Sequence, residues 1–171
     1  MVILGIDPGS RFLGFGAISF ENGQFKPLQY GVLKFDAEAP LNERLIQIGQ
    51  GIEDLIKDYK PDQISIEKIF LGKNADSAFK LGHARGVVIY EALRNGVEVF
   101  EYATRVVKKG VTGNGGAEKD HVRLVVQNLL KLPSIKSLDA SDALALACYH
   151  ASQLRLVKMN KMVKKELGKR L

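Results

Sequence analysis

The stretch Val2-Ile3-Leu4-Gly5-Ile6-Asp7-Pro8-Gly9-Ser10 decides the fold of this chain. Its apolar residues follow one another without polar alternation, which is typical of a central strand covered on both faces. Pro8 and Gly9 suit the two central positions of a type II turn, so the strand ends at Asp7. Chemistry in α/β sheets gathers at the carboxyl ends of strands, which makes Asp7 a candidate functional residue. Taken alone, the stretch also fits a structural hairpin turn that Asp7 merely begins.

The composition indicates one soluble domain. The 171 residues are 46% hydrophobic and 26% charged, which is ordinary for a chain with a full core. The sequence has no apolar run long enough to span a membrane and no secretory signal pattern at its start. Its single cysteine, Cys148, fits a reducing compartment and is predicted to lie in the core. We therefore expect a cytoplasmic protein that does not contact membranes.

The net charge of +6 resides mainly at the C-terminus. Residues 158–171 contain six basic residues and one acidic residue, whereas the remaining residues contain nineteen basic and eighteen acidic ones. We predict a globular domain over residues 1–156 and a basic tail over residues 157–171. Such a tail fits either nucleic-acid contact or improved solubility.

Hydrophobic patterning predicts the element order βββαβαβααα, and hence a single α/β domain. After the first strand, further strands are predicted at 12–20, 25–35, 63–67 and 97–101. Helices are predicted at 41–59, 75–95, 104–109, 117–131 and 139–156, with a Gly-rich loop at 110–116. Helix 41–59 supplies the crossover that makes strand 63–67 parallel to the first strand. Gly14 and Gly16 share one face of the second strand, where another element can approach closely.

Four carboxylates are expected to converge at one edge of this sheet. Glu67 ends the fourth strand as Asp7 ends the first, and Asp139 and Asp142 share one face of the last helix at its first turn. Two carboxylates about 4 Å apart repel each other by roughly 4 kcal/mol, and no basic residue adjoins either helix aspartate in sequence. Oxygen ligands of this kind suit Mg²⁺ or Mn²⁺, and a pair of such ions can cleave phosphodiesters. Alternatively, Asp139 and Asp142 only complement the helix dipole.

Several sequence blocks together resemble the RuvC family of bacterial Holliday-junction resolvases. They are Gly-Ile-Asp-Pro-Gly (5–9), Ile-Glu-Lys-Ile-Phe (66–70), Lys-Asn-Ala-Asp-Ser-Ala (73–78), Leu-Gly-His-Ala-Arg-Gly (81–86), Val-Thr-Gly-Asn-Gly (111–115) and Asp-Ala-Ser-Asp-Ala-Leu-Ala (139–145). The resemblance runs from residue 2 to about residue 152. It implies a ribonuclease H-like fold with a central mixed five-stranded sheet flanked by helices, and makes residues 1–156 a nuclease domain. It also implies a homodimer that resolves four-way DNA junctions by paired symmetric nicks in recombination and repair, with the RuvA–RuvB branch-migration complex as a partner.

The resemblance assigns the chemistry to Asp7, Glu67, Asp139 and Asp142 as the catalytic, metal-binding carboxylates. It implies two Mg²⁺ ions in the site, for which Mn²⁺ can substitute. Asp7 and the two helix aspartates would hold the ion that activates water, and Asp7 with Glu67 the ion that stabilises the leaving 3′-oxygen.

The resemblance also assigns DNA contacts. Phe70 corresponds to the family's aromatic residue that stacks on an unpaired base at the junction, and Lys108 and Lys119 correspond to lysines that contact DNA. From the sequence itself, Arg105 and Lys109 join these two lysines around the Gly-rich loop, where they can hold phosphates without reading bases. The alternatives are a phenylalanine folded onto the core and a solvated basic face.

Three other functions share parts of this pattern. ATPases of the actin type also open with Gly-Ile-Asp-x-Gly, but they need two such domains, and this chain has room for one. Another ribonuclease H-like nuclease acting on a different nucleic acid structure is the principal alternative. A non-enzymatic junction-binding module is the third, and the complete set of acids argues against it.

Overall fold

The computed structural model describes residues 1–68 and 75–167, with side chains described as far as residue 156. Within these ranges, five strands form one mixed sheet in the spatial order β3-β2-β1-β4-β5. The strands are β1 (Val2–Asp7), β2 (Phe12–Glu21), β3 (Gln24–Lys34), β4 (Gln63–Glu67) and β5 (Glu98–Tyr102). The helices are α1 (Leu41–Tyr59), α2 (Ala75–Arg94), α3 (Thr104–Thr112), α4 (Lys119–Leu129) and α5 (Leu138–Leu167). The predicted element order and mixed five-stranded sheet are thus confirmed.

Strand β1 lies at the centre of the sheet and is covered on both faces, as predicted. Ile3 is fully buried on the face that packs against α5, while Leu4 and Ile6 are fully buried on the opposite face, which α1 and α2 cover. Strand β1 is antiparallel to β2 and parallel to β4. Because β1 and β4 run in the same direction, Asp7 and Glu67 end their strands at the same edge of the sheet.

Three glycines allow α5 to lie directly on the sheet. A Cβ at Gly5 would lie 1.9 Å from a backbone carbonyl oxygen of α5, and one at Gly14 would lie 2.2 Å from the carbonyl oxygen of Asp139. At Gly16 the Cβ would lie 2.7 Å from a leucine side chain of the same helix. The close approach predicted at Gly14 and Gly16 is confirmed, and the element that approaches is the start of α5.

Helix α3 is longer than predicted, so the expected loop 110–116 was too long. The helix continues to Thr112, and its C-cap is Gly113, whose φ is 79° and whose N–H donates to the Lys109 carbonyl at 2.9 Å. Gly110 lies inside the helix, where a Cβ would come within 2.3 Å of the Tyr149 ring. Close packing of α3 on α5, rather than loop freedom, therefore explains this glycine.

Helix α5 runs past its predicted end at residue 156 to Leu167. The first part of the predicted tail is therefore helical, although its side chains lie outside the described part of the chain. The division into a domain over residues 1–156 and a basic tail over residues 157–171 stays a prediction. Among the described residues, no helix combines the length and apolar character needed to cross a membrane.

A chain of hydrogen-bonded polar side chains links α5 to β4 and β5. His150 is 1% exposed; its Nδ1 accepts a hydrogen bond from the Tyr102 hydroxyl at 2.6 Å, and its Nε2 donates to Oε1 of Gln63 at 2.8 Å. Gln63 in turn donates to Glu98 at 3.0 Å. Burial lowers the pKa of His150 to about 4 and raises the pKa of Cys148 to about 12. Cys148 is 1% exposed, which confirms its predicted core position.

Candidate active site

Three of the four predicted carboxylates line one small cavity at the edge of the sheet. Asp7, Glu67 and Asp142 surround a volume of about 20 Å³, which is about the space that one water molecule needs. Asp139 is not among the residues that line this cavity, but its charge acts on Asp7. The glycine contacts described above bring the two helix aspartates to the end of β1.

Asp7 is the most strongly perturbed acid of this cluster. Burial, followed by the charges of Glu67, Asp142 and Asp139, raises its pKa to about 8. Its carboxylate form is disfavoured because it is removed from water and surrounded by like charges. At neutral pH, Asp7 therefore loses its proton readily only when additional positive charge is supplied to the cavity.

Lys119 is a basic side chain already in contact with the cluster. Its Nζ lies 2.8 Å from Oδ2 of Asp142, and this hydrogen bond is the main reason that the pKa of Lys119 is raised. The charges of Asp142, Asp7 and Asp139 raise it further. This pair was not predicted, because no basic residue adjoins the helix aspartates in sequence and tertiary packing brings the first residue of α4 to them.

Glu67 is held both at its backbone and at its side chain. The hydroxyl of Thr104 donates to Oε1 of Glu67. Nε of Arg85 donates to the backbone carbonyl of Glu67 at 3.2 Å, and the same guanidinium pairs with Glu101. Neither Thr104 nor Arg85 was predicted as a site residue. For Thr104 the available signal was its position just after β5, since Glu67 pairs with Tyr102 at the end of that strand.

The remaining predicted DNA-contacting residues differ in their surroundings. Lys108 lines the carboxylate cavity and is partly buried, with its Nζ donating to the Ala117 carbonyl at 2.6 Å. Arg105 and Lys109 are exposed on α3. The structure therefore brings Lys108 and Lys119 to the acids and leaves Arg105 and Lys109 at the surface. Phe70, the predicted stacking residue, lies outside the described residues.

A buried arginine fixes the turn that follows Asp7. Arg44 of α1 is 7% exposed, and its Nη1 donates to the backbone carbonyl of Ser10 at 3.0 Å. Its Nε has no hydrogen-bond partner among the described residues. This buried cation was not predicted, since nothing local in α1 distinguishes it from a surface arginine.

The donor chemistry of the cluster fits a hard divalent cation. Its candidate ligands are all carboxylate oxygens, which Mg²⁺ and Mn²⁺ prefer. The raised pKa of Asp7 indicates that the negative charge of the cluster is not fully compensated, although Lys119 contacts Asp142. As they stand, however, no three His, Cys, Asp or Glu side chains of the described residues are arranged to hold a metal ion.

Comparison with known proteins identifies close relatives over nearly the whole domain. The model of the family described as "Crossover junction endodeoxyribonuclease RuvC" matches residues 3–150. A protein of that name from Bdellovibrio bacteriovorus is 54% identical over 155 residues, which cover 91% of this chain and 92% of that protein.

Solved structures agree with this match. The structure of Thermus thermophilus RuvC is 32% identical, has a TM-score of 0.83, and is matched over 91% of this chain and 96% of its own. A second structure, of the same protein in complex with Holliday junction substrate, is 30% identical with the same TM-score and coverage. These similarities confirm the predicted ribonuclease H-like fold. Nucleases of the family depend on divalent metal ions, in agreement with the oxygen donors of the site. The chain belongs to the RuvC family of crossover junction endodeoxyribonucleases.

Proposed function

We propose that this protein resolves four-way DNA junctions by Mg²⁺-dependent paired nicking in recombination and repair. The observation that carries the proposal is Asp7, a half-buried acid on which the charges of three other carboxylates act at one edge of a ribonuclease H-like sheet. Membership of the RuvC family supplies the reaction, and basic side chains beside the acids suit a polyanionic substrate.

Asp7, Glu67, Asp139 and Asp142 would hold two Mg²⁺ ions, for which Mn²⁺ can substitute. When bound, such ions make a water molecule nucleophilic at neutral pH and stabilise the charge on the leaving 3′-oxygen. Asp7 is the proposed shared ligand because the charges of all three other acids raise its pKa. Partial burial of these carboxylates strengthens their attraction for cations.

The basic side chains bind and orient the DNA. Lys119 lies on Asp142 and is proposed to transfer its contact to a phosphate oxygen when DNA and metal neutralise the acids. Arg105 and Lys109 are exposed and would grip phosphates further from the scissile bond. Phe70 is proposed, from the family resemblance, to stack on an unpaired base at the junction.

Nucleotide-resolution mapping of cleavage tests this function. We expect a mobile four-way junction to be nicked at symmetric positions in two strands of like polarity when Mg²⁺ is present. Asp7→Asn should bind the junction but not cleave it, because the substitution removes the proposed shared ligand. Robust Mg²⁺-dependent cleavage by Asp7→Asn would overturn the assignment. Preferential cleavage of linear duplex or of an RNA–DNA hybrid would instead favour another ribonuclease H-like nuclease.

Paired nicking requires two active sites, and we propose that α2 joins two copies of the chain in a C2 dimer. Its buried side chains, including Val88, face the core, whereas Phe79 and Tyr90 are 70% and 61% exposed. These two aromatic residues line an open, mainly apolar groove of about 450 Å³, together with Gly82, beside which a Cβ would meet no atom within 4 Å. Such a surface suits close packing against a second copy.

Gly82→Glu should therefore produce a monomer in sedimentation experiments, because it places a charge in the apolar groove. The variant should abolish symmetric nicking while preserving the thermal stabilisation by Mg²⁺. A dimeric Gly82→Glu variant that nicks both strands would exclude this interface.

Interaction with RuvA–RuvB and a cytoplasmic location are proposed from the family alone.

A further inference from the structure

We propose that Thr104 is a positioning residue for Glu67, fixing the orientation in which that carboxylate receives a metal ion. The hydroxyl of Thr104 donates to Oε1 of Glu67, and Thr104 lines the same cavity as Asp7 and Asp142. The inference rests on the proposed function, since it takes Glu67 to be a metal ligand.

The local fold explains why this hydroxyl reaches Glu67. Strands β4 and β5 are parallel, Glu67 pairs with Tyr102, and the N–H of Lys68 donates to the Tyr102 carbonyl at 2.8 Å. Helix α3 starts two residues after Tyr102, with Ala103 at its N-cap and no side chain capping it. The Thr104 hydroxyl therefore bonds the neighbouring strand end instead of its own helix.

Glu67 gains from a partner outside the acid cluster, because its charge and that of Asp7 repel each other. A glutamate side chain has several rotamers to lose, and this one lies beside Asp7, whose pKa its charge helps to raise. Arg85 contacts the backbone carbonyl of Glu67 rather than its carboxylate, and another side chain that hydrogen-bonds to Glu67, that of Asp7, is itself a proposed metal ligand. One hydrogen bond to Oε1 selects an orientation while the other carboxylate oxygen keeps its lone pairs for a cation. Carboxylate ligands held in this way typically lose about 10- to 100-fold in metal affinity or activity when the partner is removed.

Two substitutions at Thr104 test this role. Thr104→Val keeps the shape but removes the hydroxyl, and Thr104→Ser keeps the hydroxyl. We expect Thr104→Val to raise by about tenfold both the Mg²⁺ concentration that half-maximally stabilises the protein against heat and the concentration that half-saturates cleavage. Thr104→Ser should remain within about twofold of the wild type on both measures. Junction binding in the absence of divalent metal should not change in either variant. Thr104→Ala provides the same comparison should valine disturb the start of α3.

Thr112→Val is the matched control, because the Thr112 hydroxyl donates to the Lys108 carbonyl at 2.8 Å at the other end of α3. It should lower the melting temperature without changing the Mg²⁺ dependence of that temperature. A wild-type Mg²⁺ dependence in Thr104→Val, or equal shifts in Thr104→Val and Thr112→Val, would overturn the role of Thr104 alone. If Mg²⁺ does not stabilise the wild-type protein, both this inference and the proposed metal site are overturned.

Discussion

Replacing Gly14 by alanine is expected to slow junction cleavage about 100-fold in a protein that still folds. The added Cβ would lie 2.2 Å from the Asp139 carbonyl oxygen, whereas ordinary contact begins at 3.4 Å. The start of α5 must therefore move away from β2 by about 1 Å, taking Asp139 with it, and a misplacement of this size can cost about 100-fold in rate. Overpacking of this kind costs about 1–3 kcal/mol of stability, which a domain of this size tolerates.

The assay is single-turnover cleavage of a labelled four-way junction at saturating Mg²⁺, with thermal unfolding measured in parallel. Gly49→Ala in α1 is the matched control, since its Cβ would meet the Val87 side chain at an ordinary 3.4 Å on the other face of the sheet. That variant should cleave at the wild-type rate. A folded Gly14→Ala variant that cleaves as fast as Gly49→Ala would refute the view that this glycine contact sets the position of Asp139.

Three further perturbations address stability and binding. Burial holds the pKa of His150 at about 4 in the folded protein, against roughly 6.5 in the unfolded chain. Below pH 6.5 the unfolded chain therefore binds a proton that the folded protein does not. The free energy of unfolding should fall by about 3 kcal/mol as the pH drops from 6.5 to 4. Urea unfolding of His150→Gln should show a flatter pH dependence over that range, and an unchanged slope would contradict the calculation. Arg44→Met should slow cleavage, because the turn after Asp7 loses its hydrogen bond at Ser10. The melting temperature should change little, since the substitution also removes a buried charge whose Nε has no hydrogen-bond partner among the described residues. An unchanged cleavage rate would argue against this role of Arg44. Lys109→Gln should weaken junction binding and reduce the slope of log affinity against log salt by about 1; a slope equal to that of the wild type would exclude a phosphate contact.

Local patterns in the sequence were sufficient to predict most of the fold. The apolar run before Asp7 and the short run before Glu67 each identified a buried strand, and the helix between them required parallel pairing, which β1 and β4 show. The glycines of β2 predicted a close approach that α5 makes. The four carboxylates were identified from strand ends and helix spacing, but their catalytic roles were assigned through the family resemblance.

Contacts between distant parts of the chain could not be predicted from such local patterns. The Lys119–Asp142 pair joins two helices whose relative placement is set by packing. The residues around Gly110 indicate a loop, whereas its place in α3 is explained by close packing against the ring of Tyr149 on another helix. The position of Thr104 just after β5 was its one sequence signal, and its partner became apparent only from the pairing of β4 with β5. In each case, tertiary contacts override or supplement what neighbouring residues indicate.

The buried thiol of Cys148 makes this chain a natural template for spectroscopic labelling. It is the one cysteine of the sequence, it is 1% exposed, and its pKa is raised to about 12. Since thiolates are the species that react with maleimides and spin labels, the native thiol should remain unmodified while the protein is folded. A reporter cysteine introduced at an exposed position outside the proposed DNA contacts, as in Lys26→Cys on β3, would then carry the label alone. Fluorescence or spin–spin distances between two labelled protomers on a junction become measurable without replacing Cys148.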